Sequence, residues 1–368
     1  MGREYAFVLM ESCLSTQFRG QWPVTDLHRP PMSHRGNGGI GRGADGPAIT
    51  PTVSKGSRAD IAPRNIEPST SPPIGHRMRV REKPRLKTLY GYRHMEQELL
   101  GKYTMPGIGF GTLGNTGDAG CALVEAALAE GYRYIDTSRY YGNEEAVGSA
   151  LARSSVPRGD IWVTTKLLHP RTPPQPDLRF ELEKSLRMLQ TDYVDLFLIH
   201  WPNPEVSLEW ALGEFAALRE QGKARTIGVS NFPTALLRQA LEIVDDLAAN
   251  QVEYHPYLNQ RPLLDLMRER DVVLIAHSPL ARGAVLDDPV LQEIAKRRQL
   301  SAAQVTLRWL VQQERVVAIP GAQNVEQLRE NLKVLDFTLT NDEMAAISAL
   351  ARGTRIVNPK HGPAWDPA

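Results

Sequence analysis

The stretch GYRYIDTSRYYGNEEAVGSAL, residues 131–151, decides how this chain is organised. Its run at residues 132–135 predicts a short strand that ends on Asp136, and a loop carrying Tyr141 then leads into a helix beginning near Asn143. An acid at a strand end, five residues before a tyrosine in the following loop, is unusual for architecture alone. The pattern therefore indicates a functional site at this strand end.

Two later strands end on functional groups in the same way. WVTTKL places Lys166 at a strand end, and VDLFLIHWP does the same for His200. Since the carboxyl ends of barrel strands meet at one mouth, these side chains are expected to gather with Asp136 and Tyr141. Each residue alone also has a structural explanation, as a helix cap, a surface lysine, a packed aromatic or a core histidine. The four together favour proton-transfer chemistry.

The rest of the chain repeats the alternation of strand and helix. From Met105 onward, eight apolar strand-like runs alternate with amphipathic helix-like stretches. The strand-like runs are nearly continuous in apolar residues, as expected of parallel strands covered by helices. Eight such pairs over roughly 250 residues predict an α/β fold, the (β/α)8 TIM barrel. The alternative is a doubly wound sheet, which usually carries a Gly-rich fingerprint that GFGTLG does not match.

Three additions to this barrel are expected. LGKYTMPG, before the first strand, predicts an N-terminal hairpin that closes the barrel bottom. Residues 341–350 predict an extra C-terminal helix with Asn341 as its N-cap. The Pro- and Gly-rich residues after Ala351 predict a tail over the barrel mouth.

Residues 1–94 differ from residues 95–368, which carry the predicted barrel. The segment is rich in Gly, Pro, Ser and Arg, and it holds 15 Lys and Arg against 7 Asp and Glu. Such a composition predicts a disordered low-complexity extension, because it buries too little apolar surface to offset chain entropy. Three interpretations stay open: a start of translation near Met95, a tail without a specific role, and a basic arm for an acidic partner.

Composition excludes several other classes of protein. The net charge is +1, which gives no general attraction to nucleic acid or to a membrane surface. No run reaches the roughly 18–20 apolar residues of a membrane span. Two cysteines, Cys13 and Cys121, are too few for a disulfide framework or a thiolate metal site and suit a reducing cytoplasm. No HxH or HExxH pattern accompanies the histidines, so no metal is predicted.

The motifs together resemble those of a known family. GYRYIDTSRYYGNE, TTKL, LIHWP, IGVSNF, NQVEYHP and IPGAQN…LREN occur in the order that is typical of aldo-keto reductases, from Met105 to the C-terminus. The closing TRIVNPKHGPAWDP is similar to the tail of bacterial 2,5-diketogluconate reductases of the B type, which also reduce methylglyoxal. The resemblance implies a TIM barrel that reduces a carbonyl by hydride transfer.

The resemblance also implies a role for each residue of the cluster. Tyr141 protonates the carbonyl oxygen, and Lys166 lowers the pKa of Tyr141, since a nearby ammonium favours the phenolate. Asp136 orients Lys166, and His200 holds the same carbonyl oxygen. Substrate-pocket residues implied in the same way are Leu113, Tyr141, His200 and Trp201, with the tail through Trp365 as a further wall.

The implied cofactor is NADPH, with NADH as the alternative. His277 stands where the family usually stacks Tyr or Trp on the nicotinamide. Gly321 and Ala322 replace the usual Lys-Ser, and Gln327 replaces the Arg, of the 2′-phosphate clamp. The implied cofactor-binding residues are Gly111, Thr112, Asp136, Ser230, Asn231, Gln251, His277, Ser278, Leu280, Glu330 and Asn331.

The predicted substrate is a small-molecule carbonyl compound, either 2,5-diketo-D-gluconate or methylglyoxal. Nucleic acid and membranes are not expected as partners, and the resemblance favours a monomer. A second interpretation is a redox-sensing subunit that binds a nicotinamide cofactor and turns over little. Only the basic N-terminal extension favours that interpretation.

Overall fold

The computed structural model describes residues 96–99, 102–167, 177–258 and 260–367. The expectations for residues 1–94 lie outside these ranges. The strands are β1 Glu96–Leu99, β2 Tyr103–Pro106, β3 Phe110–Gly111, β4 Tyr134–Asp136, β5 Trp162–Leu167, β6 Val194–Ile199, β7 Ala224–Ser230, β8 Ala249–Glu253, β9 Val273–His277 and β10 Val316–Ala318. The helices are α1 Gly117–Ala129, α2 Glu144–Arg153, α3 Leu178–Leu189, α4 Leu208–Glu220, α5 Thr234–Ile243, α6 Arg261–Glu269, α7 Pro289–Arg298, α8 Ala302–Val311, α9 Val325–Leu332 and α10 Asn341–Ser348.

Eight parallel strands form a closed barrel. Strands β3 to β10 pair in sequence order in one eight-stranded sheet. The two edges meet where Gly109 N donates to Ala318 O at 2.9 Å and Ala318 N donates to Gly107 O at 3.1 Å. The predicted (β/α)8 barrel is confirmed, and the doubly wound alternative is wrong. The predicted hairpin is the antiparallel pair β1–β2 that precedes the barrel.

Alternation along the strands divides the buried residues between two sides of the sheet. In β6, Leu196 and Leu198 belong to a cluster that fills the barrel, whereas Phe197 and Ile199 pack with the helices. The period of two follows from strand geometry, since successive side chains point to opposite faces. The barrel-filling cluster consists of Met105, Tyr134, Trp162, Leu196, Leu198, Ala248, Ala249, Val273, Ile275, Val317 and Ile319.

The N-cap of the C-terminal helix is one residue earlier in the sequence than predicted. Thr340, not Asn341, is the N-cap of α10: its side chain accepts from Glu343 N, and the Glu343 side chain accepts from Thr340 N. This capping box satisfies two backbone donors, whereas Asn341 is the first helical residue. Within the described ranges, no helix is both long and apolar enough to cross a membrane.

An ion pair fastens α10 to α7. Arg298 reaches both carboxylate oxygens of Glu343, at 2.8 and 2.5 Å. The hydrogen bonds from Arg298 lower the pKa of Glu343 to about 2. A carboxyl whose pKa is lowered on folding contributes stability that is present above its unfolded pKa and lost as the pH falls through the folded value.

We expect Glu343→Gln to lower the free energy of unfolding at pH 7 by about 2–3 kcal/mol, because roughly two pKa units of stabilisation are removed. The difference from the wild type should shrink between about pH 4.5 and pH 2, where the carboxylate is protonated. Denaturant unfolding at several pH values measures it. Glu326→Gln is the control, since the Glu326 side chain is exposed and its carboxylate lies 4.0 Å from the Arg329 guanidinium. A difference that does not vary with pH would show that the charge of Glu343 is not its cause.

Candidate active site

Three adjacent strands and one turn bring the predicted cluster together. Asp136 ends β4, Lys166 is the penultimate residue of β5, and His200 directly follows β6. Tyr141 ends the short 3-10 turn Arg139–Tyr141. Lys166 Nζ lies 2.5 Å from Asp136 Oδ1 and 3.3 Å from the Tyr141 hydroxyl, and the Tyr141 and His200 rings are 5.8 Å apart. All four side chains thus meet at the carboxyl ends of the strands.

The Lys166 ammonium is fully buried and fully hydrogen-bonded. Its three protons have three acceptors: Asp136 Oδ1, Thr137 O at 2.8 Å and the Tyr141 hydroxyl. Burial alone would lower the pKa of Lys166, but Asp136 and Tyr141 raise it, and the net shift is upward. Lys166 is therefore a fixed positive charge beside the tyrosine.

The pKa of Tyr141 is raised, whereas the sequence predicts that Lys166 lowers it. Burial raises it, Lys166 lowers it and Asp136 raises it, so that the net pKa lies above the ordinary value. The lysine acts as predicted, but desolvation of the phenolate is the larger effect. Near neutral pH the Tyr141 hydroxyl therefore keeps its proton and is available as a donor.

His200 is a neutral imidazole. Burial, with Lys166 and His277 nearby, holds the pKa of His200 well below its usual range. Its Nδ1 lies 3.0 Å from the Ser138 hydroxyl, which donates to the carbonyl oxygen of Lys166 at 3.2 Å. Ser138 has one proton, so the imidazole proton is on Nδ1 while Ser138 donates to Lys166 O and is on Nε2 when Ser138 donates to Nδ1 instead. No described residue hydrogen-bonds Nε2. Sequence reasoning did not identify Ser138, whose only signal was its place two residues after the strand-end acid.

The residues expected to hold a carboxamide lie beside this cluster. The Ser230 hydroxyl and Asn231 N both donate to Gln251 O at 2.8 Å. Asn231 Nδ2 donates to His200 O at 2.9 Å, and Gln251 Nε2 donates to Asp136 Oδ2 at 2.7 Å. The end of β7 and the middle of β8 are thereby connected to the Asp136–Lys166 pair.

His277 is joined to the same group. Its Nε2 lies 3.0 Å from Asn231 Oδ1, and its Nδ1 lies 3.2 Å from the Ser278 hydroxyl. Burial lowers the pKa of His277 to about 3, so the ring is neutral. The structure places it next to the predicted carboxamide site. The loop that follows, with Leu280, has positive φ at Ser278, Ala281 and Arg282.

Gly111 and Thr112 lie at the end of the first barrel strand. A Cβ at Gly111 would come within 2.7 Å of Ile319 O, so the close approach of β3 to the last strand requires glycine. The Thr112 hydroxyl donates to Asp136 O at 2.9 Å. Both residues thus border the Asp136 end of the cluster.

The loop after the eighth barrel strand is held by its own side chains. Gln327 Oε1 accepts from Gln323 N at 2.8 Å, and Asn324 caps α9 by accepting from Gln327 N at 2.9 Å. Asn331 Nδ2 lies 3.5 Å from Gly321 O, and Glu330 is half-buried in the same helix. Gln327, which stands in place of a clamp arginine, is thus used to shape the loop.

A C-terminal tail crosses the mouth and is fastened by hydrogen bonds to Tyr257 O, to the Glu253 carboxylate and from Thr234. The buried Glu253 carboxylate accepts from Ile356 N at 2.6 Å and from Val357 N at 2.8 Å. Asp366 accepts from Thr234 N at 2.9 Å and from its hydroxyl at 2.8 Å. Burial raises the pKa of Glu253, but hydrogen bonds from His255 and the two tail amides lower it, and the net shift is downward. Sequence reasoning predicted the tail but not Glu253.

The tail supplies one wall beside the catalytic cluster. Trp201, which follows His200, makes edge contacts with Trp365 at 6.1 Å and with His361 at 5.4 Å between ring centroids. Leu113 is 57% exposed. Trp201 and Trp365 are thus in contact, whereas the Leu113 side chain is exposed.

We expect Glu253→Gln to accelerate tryptic cleavage at Arg352 and Arg355 about tenfold, because hydrogen bonds to a charged group contribute about 1.5–3 kcal/mol. Limited proteolysis followed by mass spectrometry measures this rate. Glu293→Gln, at an exposed glutamate of α7, is the matched control. Equal cleavage rates in the wild type and Glu253→Gln would show that the carboxylate does not fasten the tail.

Comparison with known proteins agrees with this geometry. The sequence profile of the aldo/keto reductase family matches residues 107–352. An aldo-keto reductase of Mycolicibacterium vanbaalenii is 44% identical over 261 residues, 69% of this chain and 91% of that protein. The methylglyoxal reductase DkgB of Salmonella typhimurium is 38% identical over 268 residues, 72% of this chain and 100% of that protein. A crystal structure described as a 2,5-diketo-D-gluconic acid reductase B is 41% identical, with a TM-score of 0.68 over 72% of this chain and 94% of that one.

Proposed function

The chain belongs to the aldo/keto reductase family, and we propose that it reduces a small aldehyde or ketone to an alcohol with NADPH. The observation that carries this proposal is the contact of Tyr141 with the buried Lys166–Asp136 pair. In this proposal the enzyme is a monomer of the cytoplasm that acts on 2,5-diketo-D-gluconate or methylglyoxal. Those substrates are supported by the names of two relatives and by the fastened tail.

Tyr141 is the general acid of the proposed reaction. Its net pKa is raised by burial, so the phenol is protonated when a carbonyl compound arrives. Transfer of its proton to the carbonyl oxygen leaves a phenolate, which Lys166 stabilises from 3.3 Å. Asp136 holds Lys166 in place. The protein therefore provides the proton and compensates the charge that its loss creates.

His200 positions the carbonyl oxygen. A neutral imidazole with its proton on Nε2 donates one hydrogen bond and adds no charge that would compete for the proton of Tyr141. This tautomer requires the Ser138 hydroxyl, 3.0 Å from Nδ1, to turn its proton from Lys166 O to Nδ1. Trp201, next to His200, and Trp365 limit the size of the substrate that reaches the two donors.

The side chains at β7, β8 and β9 fit a nicotinamide. When bound, the reduced cofactor supplies the hydride. Ser230, Asn231 and Gln251 offer hydroxyl and amide groups of the kind that pair with a carboxamide. Gln251 Oε1 accepts no hydrogen bond from any described residue, while its amide nitrogen is anchored on Asp136. His277 offers a neutral aromatic face beside them.

NADPH is proposed over NADH by a small margin. Positions 321 and 322 carry no charge, and Arg329 is paired with Glu130 at 2.7 Å. The N-terminus of α9, at Asn324, retains the partial positive charge that favours a phosphate. Discrimination between the two cofactors is therefore expected to be weak.

The experiment is cofactor oxidation by the purified full chain with methylglyoxal and with 2,5-diketo-D-gluconate, each with NADPH and with NADH. Turnover with either substrate supports the proposal, and the ratio of the two cofactors tests the NADPH preference. Tight nicotinamide binding without reduction of these or other aldehydes would favour the redox-sensing subunit. Failure to bind either cofactor would overturn the proposal.

A further inference from the structure

A second buried phenol contacts the catalytic carboxylate from inside the barrel. Tyr134 lies two residues before Asp136 on β4, so both side chains point inward. Tyr134 is fully buried, and its hydroxyl donates to Asp136 Oδ2 at 3.2 Å. The Thr164 hydroxyl donates in turn to the Tyr134 oxygen at 3.3 Å. A chain of two hydroxyl groups therefore ends on Asp136.

The barrel backbone makes room for this phenol. A Cβ at Gly109 would lie 2.4 Å from Tyr134 Cδ1, closer than two carbon atoms can approach. Gly109 thus leaves space for the ring beneath the cluster. Core packing among the barrel-filling residues accounts for the ring of Tyr134, but not for a hydroxyl directed at a catalytic carboxylate.

We propose that Tyr134 is a positioning residue which, through its hydrogen bond to Asp136, sets how strongly that carboxylate acts on Lys166 and Tyr141. The inference rests on the proposed function, because it concerns the proton donor of that reaction. It adds a residue outside the four that resemblance to the family identified.

The charge of Asp136 is shared among its hydrogen-bond donors. Oδ1 accepts from Lys166, whereas Oδ2 accepts from the neutral groups of Tyr134 and Gln251. Each neutral donor disperses negative charge and so weakens the repulsion between Asp136 and a Tyr141 phenolate. Burial and the nearby Asp136 hold the pKa of Tyr134 well above its usual range, so Tyr134 remains a donor. The titratable groups around Tyr134 and Asp136 are Tyr141, Lys166, His200 and His277.

Tyr134→Phe keeps the ring and removes only the donor. Asp136 raises the pKa of Tyr141, and a less dispersed carboxylate raises it further. Alcohol oxidation, the reverse reaction, requires the Tyr141 phenolate. The acidic limb of its pH–rate profile should therefore move to higher pH by about half a unit, which is about a threefold loss of rate near neutral pH. The alkaline limb of carbonyl reduction should move upward with it, and the affinity for the cofactor should not change.

The matched control is Tyr132→Phe. Tyr132 is a buried tyrosine whose hydroxyl donates to Leu328 O at 3.1 Å, away from the cluster. Thr164→Val removes the donor behind Tyr134 and should shift the same limbs in the same direction by less. It also keeps the inference testable if Tyr134→Phe folds poorly.

A readout without turnover separates this inference from the proposed function. Titration of the Tyr141 ¹³Cζ resonance, assigned by its loss in Tyr141→Phe, reports the phenol in the substrate-free protein. An upward shift in Tyr134→Phe, absent in Tyr132→Phe, supports the inference even if neither proposed substrate is turned over. An unshifted resonance and unshifted pH limbs, with or without a lower rate, would overturn it and leave Tyr134 a packing residue.

Discussion

Tyr141→Phe is expected to lower kcat for carbonyl reduction by about a thousandfold, since proton transfer by a positioned side chain contributes about 10²–10⁴ in rate. Phenylalanine preserves the ring that lies 5.8 Å from His200 and removes only the hydroxyl near Lys166. The geometry of the active site should therefore be retained, although the proton donor is lost. Single-turnover reduction, with the cofactor dissociation constant measured on the same samples, gives both quantities.

Tyr140, which directly precedes Tyr141 in the sequence, provides the control. Tyr140 is 45% exposed and its ring lies 6.2 Å from the His200 ring, but its neighbour Tyr141 has the contact with Lys166. We expect Tyr140→Phe to retain the rate within about threefold, because it leaves the Tyr141 hydroxyl and its contact with Lys166 in place. Equal losses in the two variants, or a loss of cofactor affinity that matches the loss of rate in Tyr141→Phe, would contradict the assignment of the acid.

The strand-end groups were predictable because their signal is local. In a barrel with short strands, an acid, a lysine and a histidine at the ends of successive apolar runs have to share one mouth. Asp136, Lys166 and His200 needed no knowledge of side-chain conformation to be placed together. The period of two inside the strands is equally local, and the eight pairs of strand and helix followed from it.

The contacts beneath and above that mouth were not predictable. In the sequence, Tyr134 is one residue of a run that predicts a strand. Only the three-dimensional structure shows that its hydroxyl contacts Asp136. Glu253 lies 103 residues before Ile356, whose amide it accepts, so no local pattern connects them. The net pKa of Tyr141 depends on how far burial exceeds the effect of Lys166, which is a balance of energies rather than a motif.

Lys166→Met should remove catalysis and also destabilise the fold. Asp136 is buried, and Lys166 is the only cation that the structure places against it among the described residues. Breaking a buried ion pair on one side leaves an uncompensated charge, at a cost of about 3–5 kcal/mol. Methionine is flexible enough to fill the volume, so the lost charge, rather than a cavity, should dominate. Denaturant unfolding and reductase assays measure the two effects.

The same charge argument predicts that a second substitution restores the stability of Lys166→Met. Adding Asp136→Asn removes the unpaired charge and should restore most of the stability at pH 8. It should not restore turnover, because Tyr141 still lacks the ammonium beside its hydroxyl. A double variant no more stable than Lys166→Met would show that packing, not the unpaired carboxylate, causes the loss.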